Sequence, residues 1–151
     1  MASDKAHTPR SILDAFYQAE RDYMSANPED RDFSAMAALL APDVRLHQTA
    51  ALPYAGTYVG IEGFQDVARQ MADYLNEVDV RNAEIFESEY KGSNRIMSLS
   101  MVHLKIRKTG EELDFPTTQA ITVDLEKGLI MEIRPFYWDV KTFNEAIGYQ
   151  P

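Results

Sequence analysis

From about residue 80 the hydrophobic residues stop recurring every three or four positions and begin to alternate, and this change of period persists almost to the end of the chain. Val80 to Tyr90, Arg95 to Arg107, Leu113 to Leu125 and Leu129 to Trp138 read as four strands. They are joined by Lys91-Gly92-Ser93-Asn94, Lys108-Thr109-Gly110-Glu111 and Glu126-Lys127-Gly128. Such short, glycine-bearing connections join antiparallel neighbours. Strands of about 11 to 13 residues are twice the usual length, so the sheet must bend strongly or carry bulges.

The first half has the helical period. Thr8 is placed to cap a helix with Pro9 at its first position and an apolar stripe of Ile12, Leu13, Phe16, Tyr17 and Tyr23 or Met24, ending at Asn27-Pro28. A short second helix is predicted from Asp32, through Phe33, Met36, Ala37, Leu39 and Leu40, with Pro42 beyond its end. Val44 to Thr49 reads as a short strand, and Ala50 to Gly63 as a loop holding Tyr54 and Tyr58. A third helix follows from about Glu62 to Leu75, with Phe64, Val67, Ala68, Met71 and Leu75 on one face. Helices first and a strand meander afterwards predict an α+β domain over residues 9–148, behind a flexible tail at 1–8. Its strongly curved antiparallel sheet packs on three N-terminal helices and leaves a cone-shaped hollow for a small ligand.

Composition removes several function classes. The chain of 151 residues has no cysteine, which excludes disulfides, thiolate nucleophiles and thiolate-held metals. A net charge of −9 opposes binding to nucleic acid, and its scattered acids, Glu20 and Asp22 among them, read as a solvated surface. The first ten residues carry no apolar stretch, and no run is long enough to span a bilayer, so a soluble cytoplasmic protein is expected. His7, His47 and His103 belong to no metal-ligand motif, Gly56, Gly60 and Gly63 form no dinucleotide-binding pattern, and a serine-hydrolase elbow is missing. Proton transfer without a cofactor or metal is what remains.

The run Ile133-Arg134-Pro135-Phe136-Tyr137-Trp138-Asp139 concentrates the most pocket-type chemistry. Alternation puts Ile133, Pro135, Tyr137 and Asp139 on one side and Arg134, Phe136 and Trp138 on the other. Tyr137 and Asp139 can thus offer a phenol and a carboxylate to a cavity, while Asp139 is equally well placed to cap a helix starting at Val140.

Three local patterns and the order of elements resemble the nuclear transport factor 2-like superfamily, and within it the SnoaL-like and ketosteroid isomerase-like proteins. They are Leu40-Ala41-Pro42-Asp43-Val44, Gly56-Thr57-Tyr58-Val59-Gly60 before the third helix, and Gly128-Leu129-Ile130-Met131-Glu132-Ile133 with Phe136-Tyr137-Trp138-Asp139. The resemblance implies a pocket between the helices and the concave sheet face, and leaves the activity to be argued from the site. Ketosteroid isomerases carry a carboxylate base at the end of the first strand, where this chain reads Leu46-His47-Gln48-Thr49. That departure turns attention to His47, with Gln48 facing the opposite way.

His103 is the first choice of acid-base group if Met97, Leu99, Met101 and His103 form the inner strand face, and it drops out if Ser98 and Ser100 do. Gln119, in the polar centre of a half-buried strand, is a positioning candidate. Tyr17, Tyr54, Tyr58, Tyr90 and Tyr137 fall where this architecture brings phenols toward the cavity. The expected activity is cyclisation, isomerisation or dehydration of an apolar, oxygen-bearing molecule such as a polyketide or terpenoid intermediate of secondary metabolism. His103 or His47 would work with Asp139, while Tyr137, Tyr58 and Gln119 position the substrate. A binding or dimerisation module without chemistry is the alternative, and apolar residues on both strand faces, such as Leu99 and Met101 against Val102 and Leu104, predict a homodimer through the outer face.

Overall fold

Pro9 opens the first helix where its missing N–H is not needed. Ahead of it, the Thr8 hydroxyl accepts from the Ser11 backbone N–H at 3.0 Å, and the Thr8 N–H donates to the Ser11 hydroxyl at 2.9 Å. The computed structural model describes residues 7–90 and 92–151, without the side chains of Tyr90 and Ser93. Helix α1 spans Pro9–Ser25, followed by a single 3-10 turn and then α2 (Ser34–Ala37), β1 (Leu40–Gln48) and β2 (Gly56–Val59). Next come α3 (Gly60–Tyr74), β3 (Leu75–Tyr90), β4 (Ser93–Ile106), β5 (Glu112–Asp124), β6 (Leu129–Tyr137) and α4 (Val140–Ile147).

The six strands form one unclosed sheet in the order β2-β1-β6-β5-β4-β3. The pairs from β3 to β6 are antiparallel, as their short connections require. β1 lies parallel to β6, and that pairing explains where the chain departs from its local pattern. The Ile130 N–H donates to the Leu39 carbonyl at 2.8 Å, so β6 claims residues whose spacing had suggested helix, and α2 shrinks to one turn. Likewise Gly56–Val59, expected in a loop, pairs with Arg45–Gln48. The expected bulges are present: β3 slips against β4 between Arg81 and Glu84, where Asn82 takes a φ of 56°, and β5 slips against β6 between Thr122 and Val123. β6 pairing begins at Thr117, so Pro116, which lacks an N–H, lies where β5 is locally an edge.

Curvature wraps the sheet around α1 and α3. Ile12, Leu13, Phe16, Phe64, Val67 and Ala68 pack on Ile96, Val102, Leu104, Ile121 and Ile133, all buried. Each large side chain withdrawn from water contributes about 1.5 to 3 kcal/mol before chain entropy is set against it. Arg107 ties the layers together. Its guanidinium donates to the carbonyls of Ala72 at 2.7 Å, Met24 at 2.8 Å and Leu75 at 3.2 Å, joining the last turns of both helices to the start of β3. Arg107→Ala is expected to cost roughly 1.5 to 3 kcal/mol, read as a lower urea midpoint.

Of the predicted tail, residues 1–6 lie outside the described residues. His7 rests on the β5–β6 turn, where any Cβ at Gly128 (φ +69°) would collide with its imidazole. Among the described residues, no helix is long and apolar enough to cross a membrane.

Candidate active site

Between the two long helices and the concave sheet face is a hollow in which water-sized spheres can be centred over about 70 Å³. Phe16 and Met24 from α1, Phe64, Val67 and Met71 from α3, and Val102, Leu104, Phe115 and Ile133 from the sheet make it mostly apolar. Among the described residues, its polar lining consists of Glu20, Gln48, Thr117, Gln119 and Tyr137. Among the described residues, no lysine, arginine or histidine lines it.

Glu20 is the feature that sequence reading missed. It stands four residues after Phe16 and four before Met24, so helical spacing puts it on the buried stripe. Only 8% of it is exposed, and its carboxyl has no hydrogen bond or ion pair among the described residues. Burial away from water pushes its pKa up to about 8, with Arg21 opposing weakly. Its charge reaches Tyr54 and Tyr137, whose own pKa values are raised chiefly by burial, that of Tyr137 to about 12. A carboxyl neutral at pH 7 can donate a proton, and near pH 8 it can accept one.

Tyr137 faces inward, as strand alternation requires. Its hydroxyl lies 2.9 Å from that of Tyr54, and Phe143 of α4 packs against both rings. Tyr58 does not line the hollow; its hydroxyl donates to the Tyr54 carbonyl at 3.0 Å and braces the loop below it. Gln119 does line it, with Oε1 accepting from Tyr17 at 2.7 Å. Tyr17 is itself buried, 3.0 Å from the Ser98 hydroxyl, and is absent from the lining. The Tyr90 side chain lies outside the described residues.

Gln48, not His47, points inward. It is 8% exposed, its Oε1 has no partner, and its Nε2 reaches only the Met71 sulfur at 3.7 Å. His47 sits on the convex face, with Nδ1 3.0 Å from Thr57 Oγ1 and Nε2 3.1 Å from Glu132 Oε2. His103 is also on the convex face, because Ser98, Val102 and Leu104 take the inner one. There its Nδ1 lies 2.8 Å from Asp114, and this hydrogen bond is the main cause of its raised pKa. Its Nε2 faces Glu112 at 3.4 Å and Glu77 at 3.8 Å. These three residues are spaced as metal ligands could be, and are equally read as carboxylates around an imidazolium. Asp139 caps α4: its carboxylate accepts from the Thr142 N–H at 2.9 Å and hydroxyl at 2.7 Å, which lowers its pKa. The expected pair of histidine and Asp139 is therefore not assembled in the cavity. Parity turns both histidines outward, and the cap holds the carboxylate.

Residues 16–133 match the family profile of the SnoaL-like domain. No curated protein matches the sequence. Among solved structures, a protein from Xanthomonas campestris pv. campestris provisionally classed as a polyketide cyclase has a TM-score of 0.68 at 19% identity, over 91% of this chain and 95% of that one. TerC, co-crystallized with polyporic acid, has a TM-score of 0.70 at 16% identity, over 92% and 97%. A hypothetical protein from Catenulispora acidiphila with a ketosteroid isomerase-like fold, in complex with trimethylamine, has a TM-score of 0.70 at 14% identity, over 95% and 100%. At these identities the likeness is one of fold.

Proposed function

This chain belongs to the SnoaL-like family, and from that premise we propose that residues 9–148 act as one domain that is an enzyme working by acid-base catalysis without a cofactor. Glu20 is the proton-transfer group, in place of the histidines and Asp139. The substrate is an apolar, oxygen-bearing small molecule of polyketide or terpenoid type, and the reaction is its cyclisation, isomerisation or dehydration in secondary metabolism.

The observation carrying this reading is a single unpartnered carboxyl, held near a pKa of about 8 in a mostly apolar cavity whose described lining holds no other ionisable group but the Tyr137 phenol. In its ionised form Glu20 takes a proton from carbon beside a carbonyl, and the electron pair moves onto the carbonyl oxygen. A donor at Tyr137 or Gln119 stabilises that oxygen. Returning the proton to another carbon gives isomerisation; delivering it to a departing hydroxyl gives dehydration. Solved neighbours crystallised with polyporic acid and with trimethylamine support a small-molecule role for the cavity. The test compares Glu20→Gln with His103→Gln and His47→Gln: turnover should be lost only with the first. Equal loss in all three, or in none, would reject the assignment. A binding module without chemistry remains the second reading, favoured by the histidines lying outside the cavity lining.

A homodimer through the convex face is part of this proposal. Met97, Leu99 and Met101 on β4, Phe86 on β3 and Phe136 on β6 are between 40% and 51% exposed there. Register places Leu99 beside Thr118, and Thr118 beside Phe136, so they form one patch. Leu99→Glu is expected to convert a dimer to a monomer in sedimentation at micromolar concentration. A wild-type monomer at tens of micromolar would remove the dimer from the proposal.

A further inference from the structure

The hydrogen-bonding groups left open in the cavity differ from one end to the other, and this asymmetry describes the molecule that fits. Three inward residues form a row across the sheet. Gln119 on β5 lies opposite Pro135 on β6, and continuing the parallel register from the Leu46–Ile133 pair brings Gln48 on β1 to the other side of Pro135. Two strand spacings, about 10 Å, therefore separate the backbones of the two glutamines. Between them is a proline ring, which offers no donor.

The two amides are committed differently. The Gln119 Oε1 is occupied by the Tyr17 hydroxyl, so this residue offers its Nε2 to the cavity as a donor. The Gln48 Oε1 is buried without a partner, so it offers an acceptor. An unpaired acceptor in a protein interior is unfavourable unless a ligand or water satisfies it. Beyond Pro135 the two hydroxyls of Tyr137 and Tyr54 share one hydrogen bond, which leaves one O–H proton over. Among the described residues the lining holds no cation, and Glu20 is neutral below about pH 8, so an anion entering here would be buried without a counter-charge from them.

We propose that the cavity selects an uncharged hydroxy-carbonyl compound, bound with a hydroxyl donating to Gln48 and a carbonyl accepting from Gln119, its apolar body lying over Pro135. This deepens the acid-base reading and rests on it for the identity of the site, but orientation by the two amides does not require Glu20 to transfer a proton.

Three probes of one shape separate the possibilities, with dissociation constants read by titration calorimetry on the whole protein at pH 7. 4-Hydroxyacetophenone carries both the donor and the acceptor, 4-methylacetophenone replaces the donor by a methyl of similar size, and 4-hydroxybenzoate replaces the neutral acceptor by an anion. The first is expected to bind at least about tenfold more tightly than each of the others, although the methyl compound is the more hydrophobic. Gln48→Met should abolish the preference for hydroxyl over methyl. It should also raise the thermal midpoint by about 2 to 4 °C, because it removes the unpaired acceptor. Equal binding of hydroxyl and methyl probes, or a preference surviving in Gln48→Met, would overturn the role of Gln48. Equal binding of the benzoate would overturn the selection for a neutral ligand. Glu20→Gln should keep the hydroxyl preference while losing turnover, so failure of the catalytic assignment is distinguishable from failure of this one.

Discussion

Glu20→Gln is expected to lower turnover by roughly 10² to 10⁴ and, in the same protein, to raise stability at pH 8. Both effects have one physical source. The unfolded chain releases this proton near pH 4.5, whereas the folded protein holds it to about pH 8. Between those values the unfolded state binds fewer protons than the native state, so native stability falls as pH rises. The penalty is absent below pH 4.5 and complete above about pH 8, and is on the order of a few kcal/mol. Glutamine has the same shape and no proton to lose. Stability curves of wild type and variant should converge toward pH 4.5 and separate as pH approaches 8, with the variant above. Parallel curves would show that the carboxyl is not buried in solution, and undiminished turnover would show that it is not the acid-base group. A residue whose removal both stabilises and inactivates is kept for chemistry.

Phe143→Ala is expected to cost about 3 to 5 kcal/mol, measured by chemical denaturation, with a slope close to that of wild type. The Phe143 ring is 0% exposed and meets Tyr137 edge to face at 5.6 Å and Tyr54 at 6.4 Å. Helix α4 keeps its own Asp139 cap and a second attachment to the body, an Asn144 amide donating to the Ala51 carbonyl at 2.8 Å. These should keep the helix docked while the hole behind the two phenols loosens them. A loss below about 1 kcal/mol would mean that the site closes around the missing ring.

The strand meander, its antiparallel pairing and its bulges were legible because alternation and short glycine turns are local properties of the chain. The first helix was legible down to its Thr8 cap for the same reason. Pairing of β1 with β6 was not, since it joins residues some ninety positions apart and overrides the helical spacing of Leu39 and Leu40. Alternation also states which residues share a face without saying which face is concave, and that single choice turned His103 outward and Ser98 inward. Glu20 was hidden by composition: among twenty-four acidic residues it looked like one more surface charge, although its spacing from Phe16 and Met24 placed it on the apolar stripe. Asp139 answered to two readings, and the hydrogen bonds from Thr142 decide for the cap.

The outermost strand, β3, runs for sixteen residues, and among the described residues no strand pairs along its outer side. Such a border is a template on which a foreign strand can add, the first step toward fibres. Here the left-handed turn at Asn82 breaks the flat run in two, and the exposed acids Glu84, Glu87 and Glu89 give the distal half a charge that repels an identical neighbour. The same kink that lets a long strand follow the curve of the cone thus also guards against runaway self-association.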